Sequence, residues 1–114
     1  MVDDDKAEER TLQLTIARVN RQCTCEANRK AILAFGNTCF AEGLSRRRVI
    51  KYFATLLTLD RRFAREFSSA RREDIQRLME GIETSDYSEW TKHDFRVALK
   101  KFFRWLRGSE FYPE

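Results

Sequence analysis

The chain has 114 residues, 42% hydrophobic and 35% charged, with one Pro and four Gly, which suits a single domain with one core and favours helices over turn-rich β structure. No apolar run approaches a membrane span and the acidic start MVDDDKAEER is unlike a signal peptide, so a cytoplasmic protein with no membrane contact is expected. The net charge of +4 is uneven: residues 46–72 hold nine basic and two acidic residues, whereas the first ten hold five acidic and two basic, a distribution that suggests a polyanion partner for one surface.

Periodicity predicts five helices, with no strand alternation and no internal repeat. A first helix over about 5–21 carries the stripe Leu12, Ile16, Val19 and Cys23. Thr24 is the predicted N-cap of a second, which has Glu26 in its first turn, Ile32, Leu33, Phe35, Cys39 and Phe40 as apolar positions, and Gly43 just past its end. Ser45 caps a third, about 46–65, whose buried face is Val49, Tyr52, Phe53, Leu56, Leu59 and Phe63. Arg47, Lys51, Thr55, Thr58 and Arg62 gather on its opposite side. Ile75, Leu78, Met79 and Ile82 form the stripe of a short fourth helix. The fifth starts at Ser88 and stops at Gly108, with Phe95, Phe102, Phe103, Trp105 and Leu106 assigned to the core. The connections are short, as in a compact all-α bundle.

Two strips of cations are the main functional signal. One runs along the third helix, and the other comprises Arg96, Lys100, Arg104 and Arg107 on the fifth. A charged face opposite an apolar stripe is how most soluble helices look. Both strips, however, are almost free of acids, whereas solvating faces mix signs to gain i,i+4 pairs. Both also begin at a hydroxyl-capped N-terminus, Ser45 and Ser88, with Thr91 one turn further in. Free N–H groups and a positive dipole end suit a phosphate there. Cys23, Cys25, Cys39 and the single His93 lack the paired-cysteine spacing of a structural zinc site, and three cysteines do not make a disulfide framework. No metal and no cofactor is expected.

The stretch LSRRRVIKYFATLLTL, followed by AREFSSARREDIQRLMEGIETSDYSEWTKHDFRVALKKFFRWLRGSE, resembles the N-terminal core-binding domain of tyrosine recombinases. This is the phage-integrase SAM-like fold, here in its archaeal-like branch. The residues that carry the likeness are Ser45, Tyr52 and Leu56, then the pair Asp74-Ile75, then Ser88 and Thr91, then Ala98, Leu99, Phe102, Phe103, Trp105 and Leu106. It covers about residues 43–110. Two features depart from the family pattern. Arg71 stands where many relatives have a Thr cap, and Lys92 and Arg96 stand where bacterial relatives have apolar residues.

The resemblance implies an N-terminal helical extension over 1–22, a SAM-like DNA core-binding domain over 23–108, and over 109–114 the start of a linker to a catalytic domain. The family's nucleophilic Tyr, two Arg and His-x-x-Arg element have no counterpart here, so the chain is expected to be no enzyme by itself and to have no small-molecule substrate. By the same resemblance it clamps double-stranded DNA at a recombination site, alongside other recombinase protomers. The DNA-facing groups would be Ser45, Arg46, Arg47, Arg48 and Lys51 on one helix. On the other they would be Ser88, Trp90, Thr91, Lys92, Asp94, Arg96 and Lys100. Arg47 and Lys51 are the foremost of these. Trp90 is open to two readings, packing against the bundle or contact with a sugar or thymine methyl. A helical protein-interaction module docking an acidic partner and a stand-alone, non-catalytic regulator of recombination remain as alternatives.

Overall fold

Hydroxyl caps and glycines set several helix ends, and they do so through local hydrogen bonds. Ser45 Oγ accepts from the Arg48 N–H at 3.2 Å, and Ser88 Oγ from the Thr91 N–H at 3.2 Å. Gly43 (φ 91°) and Gly108 (φ 95°) follow helix ends in the left-handed half of φ space, where a side chain would be strained. The computed structural model describes residues 2–108. Its helices are α1 (Val2–Gln22), α2 (Glu26–Ala41), α3 (Arg46–Phe63), α4 (Arg72–Glu83) and α5 (Glu89–Arg107), with a 3-10 turn at Phe67–Ser69. There is no strand among the described residues. The predicted linker, 109–114, lies outside them.

α3 is the central element, packed against all four other helices. Its Val49, Tyr52, Phe53, Leu56 and Leu59 are buried, as the wheel predicts, whereas Phe63 is only partly covered. Gly36 of α2 lets that helix come close, because a Cβ there would enter the Phe53 ring. From α5, Phe102 and Phe103 complete an aromatic cluster with Phe35 and Phe67, whose edge-on contacts are at 5.1–5.6 Å. Leu12 and Val19 of α1 belong to the same core as the other helices, so the segment 1–22 shares the hydrophobic core of the rest.

Three expectations need correction. Thr24 does not cap α2, whose N-cap is Cys25 without a side-chain hydrogen bond. Instead its N–H and hydroxyl both donate to the buried Asp60 of α3, at 2.9 and 2.8 Å. Asn28 donates to the same carboxylate at 2.7 Å and accepts from the Phe67 N–H at 2.8 Å. A fully buried carboxylate without such donors would be very costly, so its demand outranks the local cap. Thr55, placed on the wet strip of α3, is buried. The N-terminal region of α5 contacts the residues flanking Thr55 on that strip: Asp94 meets Lys51, and Tyr87, just before the helix, meets Arg62. Trp105, assigned to the core, packs on Phe35 and Phe102 with its edge 38% exposed.

Candidate nucleic-acid interface

The starts of α3 and α5 converge. Ser45, Arg47, Arg48 and Lys51 from one, with Trp90, His93 and Asp94 from the other, line a groove of about 420 Å³ whose inner wall includes Tyr52 and Val97. Each helix reaches this place because its cap fixes where the first turn begins. The i, i+4 spacing of Arg47 and Lys51 then puts both cations on the groove side. Trp90 is 80% exposed, with its indole edge-on to His93 at 6.5 Å, which decides between its two readings against packing in the bundle. An exposed indole beside long cations offers a flat apolar face next to positive charge.

The cations are held by acids from other helices, which a single-helix wheel does not display. Lys51 Nζ lies 3.1 Å from Asp94 of α5. Arg47 meets Glu8 at 3.2 Å and Arg46 meets Glu9 at 3.1 Å, both across from α1. Arg46 also donates to the Asp5 carbonyl at 3.3 Å. These pairs are solvent-exposed or nearly so, and exposed pairs are worth little and are easily exchanged for another anion. Arg48, by contrast, has no carboxylate within ion-pair distance among the described residues.

Not every predicted residue faces the groove. Lys92 is largely covered and donates to the Glu83 carbonyl at 2.9 Å, a cation placed on the C-terminal end of α4. Arg96 grips the Glu83 carboxylate with two hydrogen bonds and also approaches Glu89. The Arg96 hydrogen bond holds the Glu83 carboxyl below its ordinary range, and the same bond raises Arg96. Both residues tie α5 to α4, Lys92 largely covered and Arg96 still partly exposed. Ser88 and Thr91 cap one another, with the Ser88 hydroxyl donating to Thr91 Oγ1 at 3.1 Å.

Lys100 lies further along α5, on a second groove of about 630 Å³ between α2 and α5 that also holds Lys101, Arg104 and Trp105. Lys101 is paired with Glu42 at 3.1 Å. Lys101 was not singled out in the sequence, although Val97, Lys101 and Trp105 follow Trp90 and His93 at helical spacing. None of the cysteines lines either groove. Cys39 is buried, and burial, with the charges of Asp60 and Cys25 added, pushes the Cys23 thiol up to about 12, so it stays neutral near pH 7. No group of three or more His, Cys, Asp or Glu able to hold a metal ion occurs among the described residues. No described helix is long and apolar enough to cross a membrane.

No family model matches the chain, and neither a curated protein nor a solved structure does.

Proposed function

We propose that this chain is a duplex-DNA-binding helical module. In this reading it is the SAM-like core-binding part of a tyrosine recombinase, holding DNA while chemistry is done by other residues of the parent protein. One observation carries it: Arg47, Arg48 and Lys51 share a single groove with the exposed Trp90. Cations there neutralise backbone phosphates and fix the register of the duplex, while the indole is the group able to touch sugar or base. The order and spacing of the residues that resemble the recombinase domain support the more specific part of the reading.

A second reading has its own observation. α1 already lays Glu8 and Glu9 against Arg47 and Arg46, so this face accepts an acidic helix, and an acidic protein partner would suit it.

Titration of a labelled duplex at 50 and 200 mM salt separates the two. Duplex binding by phosphate contacts is expected in the non-specific range, about 10⁻⁴ to 10⁻⁶ M near physiological salt, and to weaken steeply as salt rises. Binding that ignores salt, or no binding at 50 mM, rejects the DNA reading. In this reading the family's catalytic Tyr and His-x-x-Arg element have no counterpart in the sequence, so no covalent adduct is expected on a nicked duplex.

A further inference from the structure

A second cluster of cations sits at the other end of α3. Arg62 and Arg65, with Arg77 from α4, frame a shallow pocket of about 350 Å³ whose floor includes Gly81. The only acid lining it is Asp74, and that carboxylate is already in use. One oxygen accepts the Arg71 N–H at 2.9 Å, and the other lies 3.1 Å from Arg65 and 3.9 Å from Arg77. Three guanidinium groups thus face one carboxylate, and Arg62 has no carboxylate within ion-pair distance among the described residues.

Two of the three forks are also held in place by rings. Arg65 lies over Phe63 at 4.6 Å, and Arg62 over Tyr87 at 5.9 Å. Its Nη1 is near Gly81, 3.6 Å from where a Cβ would stand, so the absence of a side chain leaves the fork room. A planar guanidinium held in one orientation loses less freedom on binding and matches phosphate oxygens in pairs.

The position of this pocket gives it a role. Lys51 and Arg62 are eleven residues apart on α3, about 16 Å along the axis at 1.5 Å per residue. The N-terminal region of α5 touches both: Tyr87, just before the helix, meets Arg62, and Asp94 within it meets Lys51. The exposed Trp90 lies in sequence between Tyr87, which meets Arg62, and Asp94, which meets Lys51. We propose that the Arg62–Arg65–Arg77 pocket is a second phosphate-binding site, which takes a backbone phosphate of the same duplex on the far side of α5 from Arg47 and Lys51. This rests on the DNA reading above, which puts the duplex over the start of α5.

The test uses the intact chain in three forms: wild type, Arg62→Gln/Arg77→Gln, and Arg47→Gln/Lys51→Gln. Neither Arg62 nor Arg77 is the nearer partner of Asp74, and melting curves check that each variant folds. Binding to a 20-base-pair duplex is measured over a salt series, followed by inorganic phosphate titrated against the arginine Nε–H resonances at constant ionic strength. The pocket variant is expected to bind the duplex about three- to ten-fold more weakly, with the logarithmic salt slope flattened by about 0.9 per lost contact. Wild-type Arg62 and Arg77 resonances should move with phosphate.

If the pocket variant binds like wild type while the groove variant is weakened, the second site is wrong and the DNA reading stands. If wild type fails to bind duplex but the Arg62 and Arg77 resonances move with phosphate, the DNA reading falls and with it the duplex role, leaving a site for free phosphate. If they move with neither ligand, the site itself is overturned.

Discussion

The two ends of α3 handle positive charge in opposite ways. At its start, Arg46, Arg47 and Lys51 each have a separate carboxylate brought from another helix: Glu9 and Glu8 from α1, and Asp94 from α5. At its end, among the described residues, Arg62, Arg65 and Arg77 have only Asp74 within ion-pair distance, while a second carboxylate, Asp60, is buried and bonded to neutral donors. The start is therefore a surface whose cations are already paired, so any anion binding there would displace acids. The end is a surface with excess charge, anchored to the core by a buried polar hub. Similar arginine-rich sequence at both ends produces one exchangeable surface and one pre-charged one, and the difference comes from what the other helices bring.

The largest expected effect comes from contrasting a carboxylate at each end. Asp60→Asn replaces one acceptor oxygen with an amide NH2, so donors from Thr24 or Asn28 face another donor and lack an acceptor. It is expected to destabilise the fold by about 2–3 kcal/mol, a fall in melting temperature of about 10 °C. Asp94→Asn removes an exposed pair and should cost about 0.5 kcal/mol or less. Urea unfolding of both variants checks this, and equal losses would erase the distinction between hub and surface.

A smaller effect is expected at the turn that ends α3. Ala64 sits at φ 58°, ψ 26°, a conformation that suits glycine. Ala64→Gly should raise stability by about 0.5–1 kcal/mol, after allowing for the greater freedom glycine has when unfolded. A thermal melt showing a loss would mean that the Cβ supports the neighbouring Arg65 fork.

Smaller again is the effect of emptying the acids from the other end. Glu8→Gln/Glu9→Gln frees Arg46 and Arg47, and duplex binding at low salt should tighten about two- to five-fold, since each exposed pair is worth about 0.2–1 kcal/mol. Unchanged affinity would show that α1 does not compete for that face.

Acid should produce the smallest change. The Arg96 hydrogen bond on Glu83 and the Arg71 N–H on Asp74 hold both carboxyls below their ordinary values of 4.5 and 3.8. Folded-state values below the unfolded ones mean stability that is present above those values and lost as pH falls through the folded ones. Melting temperature should decline below about pH 4.5, and less so in Glu83→Gln. Parallel profiles for the variant and wild type would remove Glu83 from the account.

What was legible in the sequence was local. Ser45 and Ser88 cap within three residues, and Gly43 and Gly108 each act at one backbone position, so pattern reading finds them. The apolar faces of α3, α4 and α5 were legible for the same reason. What failed depended on distant partners. Thr24 looks like a cap until Asp60, 36 residues away, takes both of its donors. The strips look free of acid because a wheel shows one helix at a time, while Glu8 and Asp94 arrive from 39 and 43 residues away. Thr55 looks wet because a wheel of α3 alone does not show that other elements bury it. Lys92 and Arg96 look like ligand contacts until Glu83 is placed beside them.

The central claim is that placement of charge at the start of α3, and not net charge, holds the polyanion. It is tested most directly by comparing Arg47→Gln/Lys51→Gln with Arg29→Gln/Lys30→Gln in duplex titrations over a salt series. Both variants lose two positive charges, and each pair contains an arginine with an acidic partner, Glu8 for Arg47 and Glu26 for Arg29. The first should bind much more weakly than the second, with the salt slope flattened by about 0.9 for each phosphate contact removed. Equal losses in the two variants would contradict the claim and reduce the basic face to diffuse attraction.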